Sequence, residues 1–122
     1  MNAERIRELI KKRSETDDEW AYGVEQCWNE LADALLEDLP WTMDFIENEC
    51  TDEEFTWIQE VWDELVQKTQ SIELIKCIRR TIKKFPEEAA LHHCDENLDV
   101  SIEGFLMMDD DVVEALLSRN VK

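Results

Sequence analysis

Carboxylates are the side chains of this chain with the most potential for chemistry, because 31 of its 122 residues are Asp or Glu. Two carboxylates at a suitable separation can serve as acid and base in glycoside hydrolysis. The acids here are so numerous that no such pair stands out. Three consecutive aspartates, Asp109, Asp110 and Asp111, resemble a divalent-cation site, but the capping of a following helix explains them better.

Two histidines and a cysteine stand together at His92, His93 and Cys94. Adjacent histidines on a helix point about 100° apart, and no complementary ligand pair occurs elsewhere, so the pattern does not favour zinc. The chain has no nucleophile elbow or Cys/His catalytic pattern, and its two glycines cannot form a phosphate-binding loop. We therefore expect no enzyme activity, no catalytic residue, no metal ion and no cofactor.

The layout of the charge favours binding instead of catalysis. The formal net charge is −18. Residues 14–67 contain 18 acids and no Lys or Arg, and residues 85–118 contain ten acids, again with no Lys or Arg. Such a field repels nucleic acid and anionic membranes and attracts basic proteins. The alternative is a solvated acidic surface that only aids solubility.

Cysteine usage predicts the compartment. Cys27, Cys50, Cys77 and Cys94 are widely spaced and form no CxxC pair. The opening MNAERIRELIKKR is charged and amphipathic, unlike a secretory signal. No apolar run approaches the length that spans a membrane. The sequence therefore predicts a cytoplasmic protein with buried, reduced thiols rather than two disulfides.

Apolar residues recur at helical spacing almost throughout, which predicts an all-α fold. We expect antiparallel helix hairpins stacked in a compact array of about six to eight helices, forming one domain over residues 1–122. WNEL recurs as WDEL 34 residues later, as in a helical-repeat array, but two units leave an irregular helical bundle open as the alternative. Residues 97–106 fit both strand and helix spacing, but a lone strand would have no partner, so we expect a helix.

Helix starts follow from capping signals. TDDE at residues 16–19 and TDEE at residues 51–54 predict capping boxes that open two long helices, the first ending at Pro40. Further starts are predicted at Asn2, Thr42, Ser71, Pro86 and Asp109 or Asp110. The first long helix should bury the stripe Trp20, Val24, Cys27, Trp28, Leu31 and Leu35, and the second Phe55, Ile58, Trp62 and Leu65.

Acids and one tryptophan on the polar faces of these helices are the candidate binding residues. On the first long helix the acids share a face with Gln26, beside Tyr22, and no lysine offsets their repulsion. On the second, first-turn acids complement the helix dipole, but those after residue 59 need another explanation. Trp57 lies off the apolar stripe, either in a second buried face with Val61 or as an exposed anchor. The candidate partner-binding residues are Glu19, Glu30, Asp33, Glu37, Glu53, Trp57, Glu60, Asp63 and Glu64.

The stretch from Trp41 to Glu88 resembles a family of small acidic helical bacterial proteins associated with toxin immunity. Its segments ECTDEEFTWI, EVWDEL and KTQSIELI, and the basic helix that ends at FPEE, carry the likeness. The family includes immunity proteins of contact-dependent growth inhibition and related polymorphic toxin systems. The resemblance implies a cytosolic binding protein that neutralises a toxin, often a nuclease.

Charge and resemblance together favour an immunity protein that occludes a basic toxin domain and binds neither nucleic acid nor membrane. The alternative is a nucleic-acid mimic of the antirestriction type, which would bind several unrelated DNA-binding proteins. A helical enzyme with a carboxylate site is a third possibility, supported only by the abundance of acids.

Overall fold

The structure is a computed structural model that describes residues 2–118, and within that range every regular element is helical. The all-α prediction is confirmed. The helices are α1 (Ala3–Ser14), α2 (Ala21–Leu36), α3 (Leu39–Asp44), α4 (Asp52–Gln59), α5 (Trp62–Thr69), α6 (Ile72–Lys84), α7 (Pro86–Leu91), α8 (Cys94–Phe105) and α9 (Asp110–Leu116), with a π-helical segment at Phe45–Glu49 between α3 and α4.

The helix predicted to continue from residue 51 through EVWDEL is two helices. Helix α4 ends at Gln59, and two tight i,i+3 hydrogen bonds follow, from the N–H of Glu60 to the carbonyl of Trp57 (3.2 Å) and from Val61 to Ile58 (3.0 Å). Bonds of this kind form a 3₁₀ turn, which tightens the last turn of a helix and interrupts the regular α-helical hydrogen bonding. This break is one reason why the described residues form more helices than expected.

The chain also divides at this break into two compact units, Met1–Val61 and Trp62–Lys122. In the first unit, α1 packs against α2 and α4, and α2 packs against α3. In the second, α8 packs against α5, α6, α7 and α9. The prediction of a single domain over residues 1–122 stays a prediction.

Most of the predicted helix starts are confirmed. The side chain of Asn2 accepts a hydrogen bond from the N–H of Arg5 (2.8 Å). Thr51 and Glu54 form the reciprocal capping box, and Ser71 caps α6. Pro86 begins α7 and Asp109 precedes α9, although no side-chain cap forms at Asp109.

The capping box predicted at residues 16–19 does not form. The hydroxyl of Thr16 donates instead to the carbonyl of Lys12 (2.7 Å), so it closes α1 rather than opening α2. Helix α2 begins later, at Ala21, and its N-cap residue Trp20 has no side-chain acceptor. The first turn of α2 therefore lacks the oxygen acceptor that usually satisfies helix N–H groups.

The cap predicted at Thr42 is also wrong. Thr42 is buried inside α3 and donates its hydroxyl to the carbonyl of Leu35. Asp38 caps this helix instead, accepting from the N–H of Trp41 (3.1 Å). Helix α2 stops before Pro40, which stands in the first turn of α3, where proline is well tolerated.

The ambiguous segment 97–106 is helical, as predicted, and belongs to α8. Leu98 and Ile102 are buried while Val100 between them is exposed. Residues four apart share a helix face, whereas a residue between them points away. In a strand the same three positions would share one face, which explains the ambiguity.

The two WxEL segments occupy different positions in their helices. Trp28 lies in the middle of the 16-residue α2 and is partly exposed, whereas Trp62 begins the eight-residue α5 and is buried. The sequence repeat is therefore not matched by equivalent burial of its tryptophans.

All four cysteines are buried thiols, as the sequence predicts. Burial raises the pKa of Cys94 to about 11, and the nearby carboxylates of Asp95 and Glu88 add to the effect. A thiol of this kind stays protonated at neutral pH and is a poor nucleophile. Cys94 is therefore part of the core rather than a reactive group.

A buried arginine joins three helices of the second unit. Arg79 of α6 donates to the carboxylate (2.8 Å) and carbonyl (3.2 Å) of Asp95, to the carboxylate of Asp99, and to the carbonyl of Leu116 (3.2 Å). Asp99 also accepts from the backbone N–H (2.8 Å) and hydroxyl (2.6 Å) of Ser118. The guanidinium thus holds α8 and the end of α9 against α6.

We expect Arg79→Ala to lower the free energy of unfolding by about 3–5 kcal/mol, because it leaves buried acceptors without their donor. Urea denaturation measures this difference. Lys76→Ala, an exposed position on the same helix, is the control and should change stability by less than about 0.5 kcal/mol. Equal effects of the two changes would show that the Arg79 contacts do not stabilise the fold.

The stabilisation from Asp99 should disappear in acid. Burial alone would raise its pKa, but hydrogen bonds from Ser118 and Arg79 outweigh burial and lower the pKa below the ordinary 3.8. A depressed folded pKa gives stability that is complete above the unfolded pKa and is lost as pH falls through the folded value. The difference in unfolding free energy between wild type and Asp99→Asn should hold from pH 7 to 5 and shrink below 3.8. A difference independent of pH would contradict the assignment.

Candidate partner-binding surface

The N-terminal helix supplies counter-charges to the acids of the first unit. Cations on α1 reach carboxylates that follow them by 18 to 47 residues in sequence. The interpretation that the acids of residues 14–67 lack an offsetting charge is therefore wrong for these acids. The long-range pairs are Arg7 with Glu54 (2.7 Å), Lys12 with Glu30 (2.7 Å) and Arg13 with Glu60 (2.8 Å).

Arg13 is the most deeply buried of these cations. Its Nε and Nη2 donate to the two carboxylate oxygens of Glu60 at 2.8 and 3.0 Å, and its Nη1 lies 3.0 Å from Asp18. Burial alone would lower the pKa of Arg13, but hydrogen bonds to Glu60 and Asp18 outweigh it and raise the pKa. Glu60 also accepts from the indole N–H of Trp28 (3.0 Å). This network accounts for Glu60 without an external partner.

Trp57 matches neither of the two predicted environments. It is half-buried, and the guanidinium of Arg13 lies over its ring at 5.2 Å from the centroid. The neighbouring Val61 is fully buried. Trp57 is therefore covered by a cation of its own chain, in a cation–π arrangement that favours arginine.

Glu54 is another acid of the first unit that pairs with groups of its own chain. Burial would raise its pKa, but the hydrogen bonds from Arg7 and from the backbone of Thr51 lower it below the ordinary value of 4.5. The acids that cap α4 and pair with α1 therefore contribute to the fold.

The other predicted acids lie on two different units. Glu19, Asp33, Glu37 and Glu53 are exposed on the first unit: Glu19 in the turn before α2, Asp33 within α2, Glu37 at its C-terminal end and Glu53 in the first turn of α4. Asp63 and Glu64 belong to α5 of the second unit. Asp63 accepts from the hydroxyl of Ser101, and Glu64 pairs with Lys68 (3.1 Å).

An exposed aromatic patch formed by Trp20 and Tyr22 at the start of α2 was not predicted as a site. Trp20 is 58% exposed and Tyr22 66%, and Trp28 in the middle of the helix is 36% exposed. The prediction that Trp20 and Trp28 belong to the buried stripe of α2 is wrong. Because α2 begins only at Ala21, Trp20 precedes the helix and its side chain does not follow the helical projection. Trp28 lies at the edge of the stripe, where its N–H reaches Glu60.

The ring of Trp20 rests on Gly23. A Cβ atom at Gly23 would lie 2.2 Å from Cε3 of Trp20 and 2.7 Å from Cδ2, far inside contact distance. Hydrogen bonds fix the backbone of Trp20 on both sides, from its N–H to Asp17 (3.0 Å) and from Val24 to its carbonyl (3.1 Å). Tyr22 stands beside it, with ring centroids 6.1 Å apart. The indole is therefore held in place while much of it faces solvent.

This arrangement lowers the local stability of α2. An N-cap without an oxygen acceptor costs about 1 kcal/mol relative to Ser or Asp, and glycine inside a helix costs about 0.5–1 kcal/mol relative to alanine. Departures from local preference concentrate at functional positions. Tryptophan followed three residues later by glycine at a helix start is the signal by which the patch could have been found in the sequence.

The second unit contains a shallow open cleft. Its walls are formed by α6, α7 and the start of α8, and its lining residues are Ile82, Lys83, Pro86, Ala89, Ala90, His93, Asp95 and Glu96. His93 has a left-handed backbone conformation, with φ of 53°. Among residues 2–118, no three His, Cys, Asp or Glu side chains are grouped so that they could hold a metal ion.

No family model, curated protein or solved structure matches this chain. Within residues 2–118, no helix combines the length and apolar character needed to cross a bilayer.

The network at Glu60 leads to a stability prediction. Glu60→Gln removes the charge that faces the buried guanidinium of Arg13, so we expect it to lower the free energy of unfolding by about 1–3 kcal/mol. Glu25→Gln, at an exposed position on α2, is the matched loss of one charge and should have an effect within about 0.5 kcal/mol. Chemical denaturation of both variants provides the test. An unchanged stability in Glu60→Gln would mean that Glu60 is available to a partner.

Proposed function

We propose that this chain is a cytosolic immunity protein that binds and neutralises a basic toxin domain, a nuclease, by steric and electrostatic occlusion. The observation that carries the proposal is the concentration of acid in the first unit. Residues 1–61 contain five Lys or Arg and 18 Asp or Glu, whereas residues 62–122 contain eight and 13. The resemblance of residues 41–88 to toxin-immunity proteins supports the same function.

The ion pairs of α1 strengthen this proposal. Three of its five cations are held by Glu54, Glu30 and Glu60. Their charges are directed at acids of the same unit, so they contribute little attraction to an anionic ligand. Asp33 and Glu37 remain exposed on α2 and at its end. This surface suits a partner with the opposite charge.

The mechanism requires no bond to be made or broken. A nuclease binds phosphates and therefore presents a basic surface. Exposed carboxylates that occupy this surface exclude the nucleic acid and also accelerate the encounter by electrostatic steering. An inhibitor of this kind needs a dense, exposed field of one sign rather than a catalytic group.

Charge reversal on α2 tests the proposal. In Asp33→Lys with Glu37→Lys, association with the toxin domain encoded directly upstream should slow, and the loss should be larger at low salt because steering is screened over about 8 Å at physiological ionic strength. Stability should hold, because both positions are exposed and like charges on a helix repel. Stopped-flow association at two salt concentrations measures the effect.

The matched control is Glu96→Lys with Glu103→Lys, the same change of charge at exposed positions on α8 of the second unit. A larger loss in this control would place the binding surface on the second unit. Tight binding of several unrelated DNA-binding proteins would instead favour a nucleic-acid mimic. The immunity function would be contradicted if the upstream reading frame encodes no toxin, or if its toxin domain neither binds the wild-type chain nor loses activity with it.

A further inference from the structure

We infer that Trp20, seated on Gly23 and flanked by Tyr22, is an anchor that stacks against an arginine side chain of the basic partner. The inference rests on the proposed function for the identity of the partner and names the point where that partner is gripped. It rests for its geometry on the exposed indole, which is fixed on one face and open to solvent elsewhere.

The surroundings of Trp20 favour a cation over an apolar group. Exposed acids flank it in the sequence at Asp17, Asp18, Glu19 and Glu25. The face of an indole ring is itself electronegative and attracts cations. An apolar partner would have to displace water from these carboxylates without replacing their hydrogen bonds, which is unfavourable.

The first unit already contains an example of the proposed contact. The guanidinium of Arg13 lies 5.2 Å from the centre of the Trp57 ring, and Glu60 and Asp18 hold its edges. A second guanidinium, that of Arg7, lies 5.5 Å from the ring centre of Phe45 and pairs with Glu54. In both cases an aromatic face and a carboxylate together hold one arginine.

Trp20 presents an aromatic ring to solvent, and exposed carboxylates flank it in the sequence. Arginine is favoured over lysine because its planar guanidinium is weakly hydrated and stacks on aromatic faces while it donates to carboxylates. The backbone hydrogen bonds of Trp20 and its contact with Gly23 reduce the ordering that binding would require. A second copy of this chain is a poor occupant, since its net charge is −18.

The variants Gly23→Ala and Trp20→Ser alter the anchor and should leave the fold intact. The added methyl group of Gly23→Ala displaces the indole but suits the helix, and serine at position 20 is a better N-cap than tryptophan. Both variants should therefore fold. The matched control is Gly104→Ala in α8, where a Cβ atom would meet nothing within 4 Å.

The probes are acetylated, amidated octa-arginine and octa-lysine peptides, titrated at low salt by calorimetry. We expect Trp20→Ser and Gly23→Ala to weaken octa-arginine binding about fivefold or more, which corresponds to a cation–π contact of about 1 kcal/mol. Octa-lysine binding should weaken less, and Gly104→Ala should match wild type. The indole N–H resonance of Trp20, assigned by its absence in Trp20→Ser, should shift when octa-arginine is added to wild type.

Unchanged octa-arginine affinity in both variants would overturn the anchor, because binding would then depend on diffuse charge alone. Self-association of wild type that Trp20→Ser abolishes, seen by sedimentation, would overturn it in favour of a second copy. A failure of the proposed function gives a different result. In that case the upstream toxin domain does not bind wild type, while octa-arginine binding still depends on Trp20.

Discussion

The first unit depends on a guanidinium that is removed from water. The guanidinium of Arg13, a residue of α1, lies over the ring of Trp57 and donates hydrogen bonds to both carboxylate oxygens of Glu60. The same carboxylate accepts a hydrogen bond from the indole N–H of Trp28. A buried charge is tolerated only when its donors are matched by acceptors of opposite charge. The network therefore fixes where α4 ends relative to α1 and α2. It also explains why Glu60 follows Trp57 even though the helix dipole does not require an acid there.

The second unit uses the same device with a different arginine. Arg79 comes from the basic helix α6 and is held by carboxylates and carbonyls of α8 and the end of α9. In each unit a basic helix directs an arginine inward to acids that are distant in sequence. Both arginines are buried and paired with acids, so these charges stabilise the fold. The pairing leaves the net excess of acid unchanged, because the chain contains 31 acids and only 13 Lys or Arg.

At the start of α2, the local sequence lowers the stability of the helix. Thr16 closes α1, Trp20 occupies the cap position without an acceptor, and Gly23 weakens the first turn. These choices lower helix stability and leave an aromatic ring in water. They are consistent with a surface selected for contact with another molecule, since natural stability is commonly given up where function requires it.

The sequence by itself determined the fold class, most helix starts and the burial of the cysteines. Period and capping act over three or four residues, so Thr51, Ser71 and Pro86 could be assigned from their neighbours alone. The same local reasoning identified the exposed acids of α2. It also separated helix from strand at residues 97–106, because a strand without a partner cannot satisfy its hydrogen bonds.

Only the tertiary structure decided which acids form ion pairs within the molecule and which aromatic ring is exposed. Arg13 and Glu60 are 47 residues apart, and no local pattern records a pairing that depends on how α1 packs against α4. The hydroxyl of Thr16 bonds to the carbonyl of Lys12 in α1, and Trp20 lies exposed at the N-cap of α2. Long-range ion pairs and helix boundaries are set by packing, and packing is the information that a linear pattern of residues lacks.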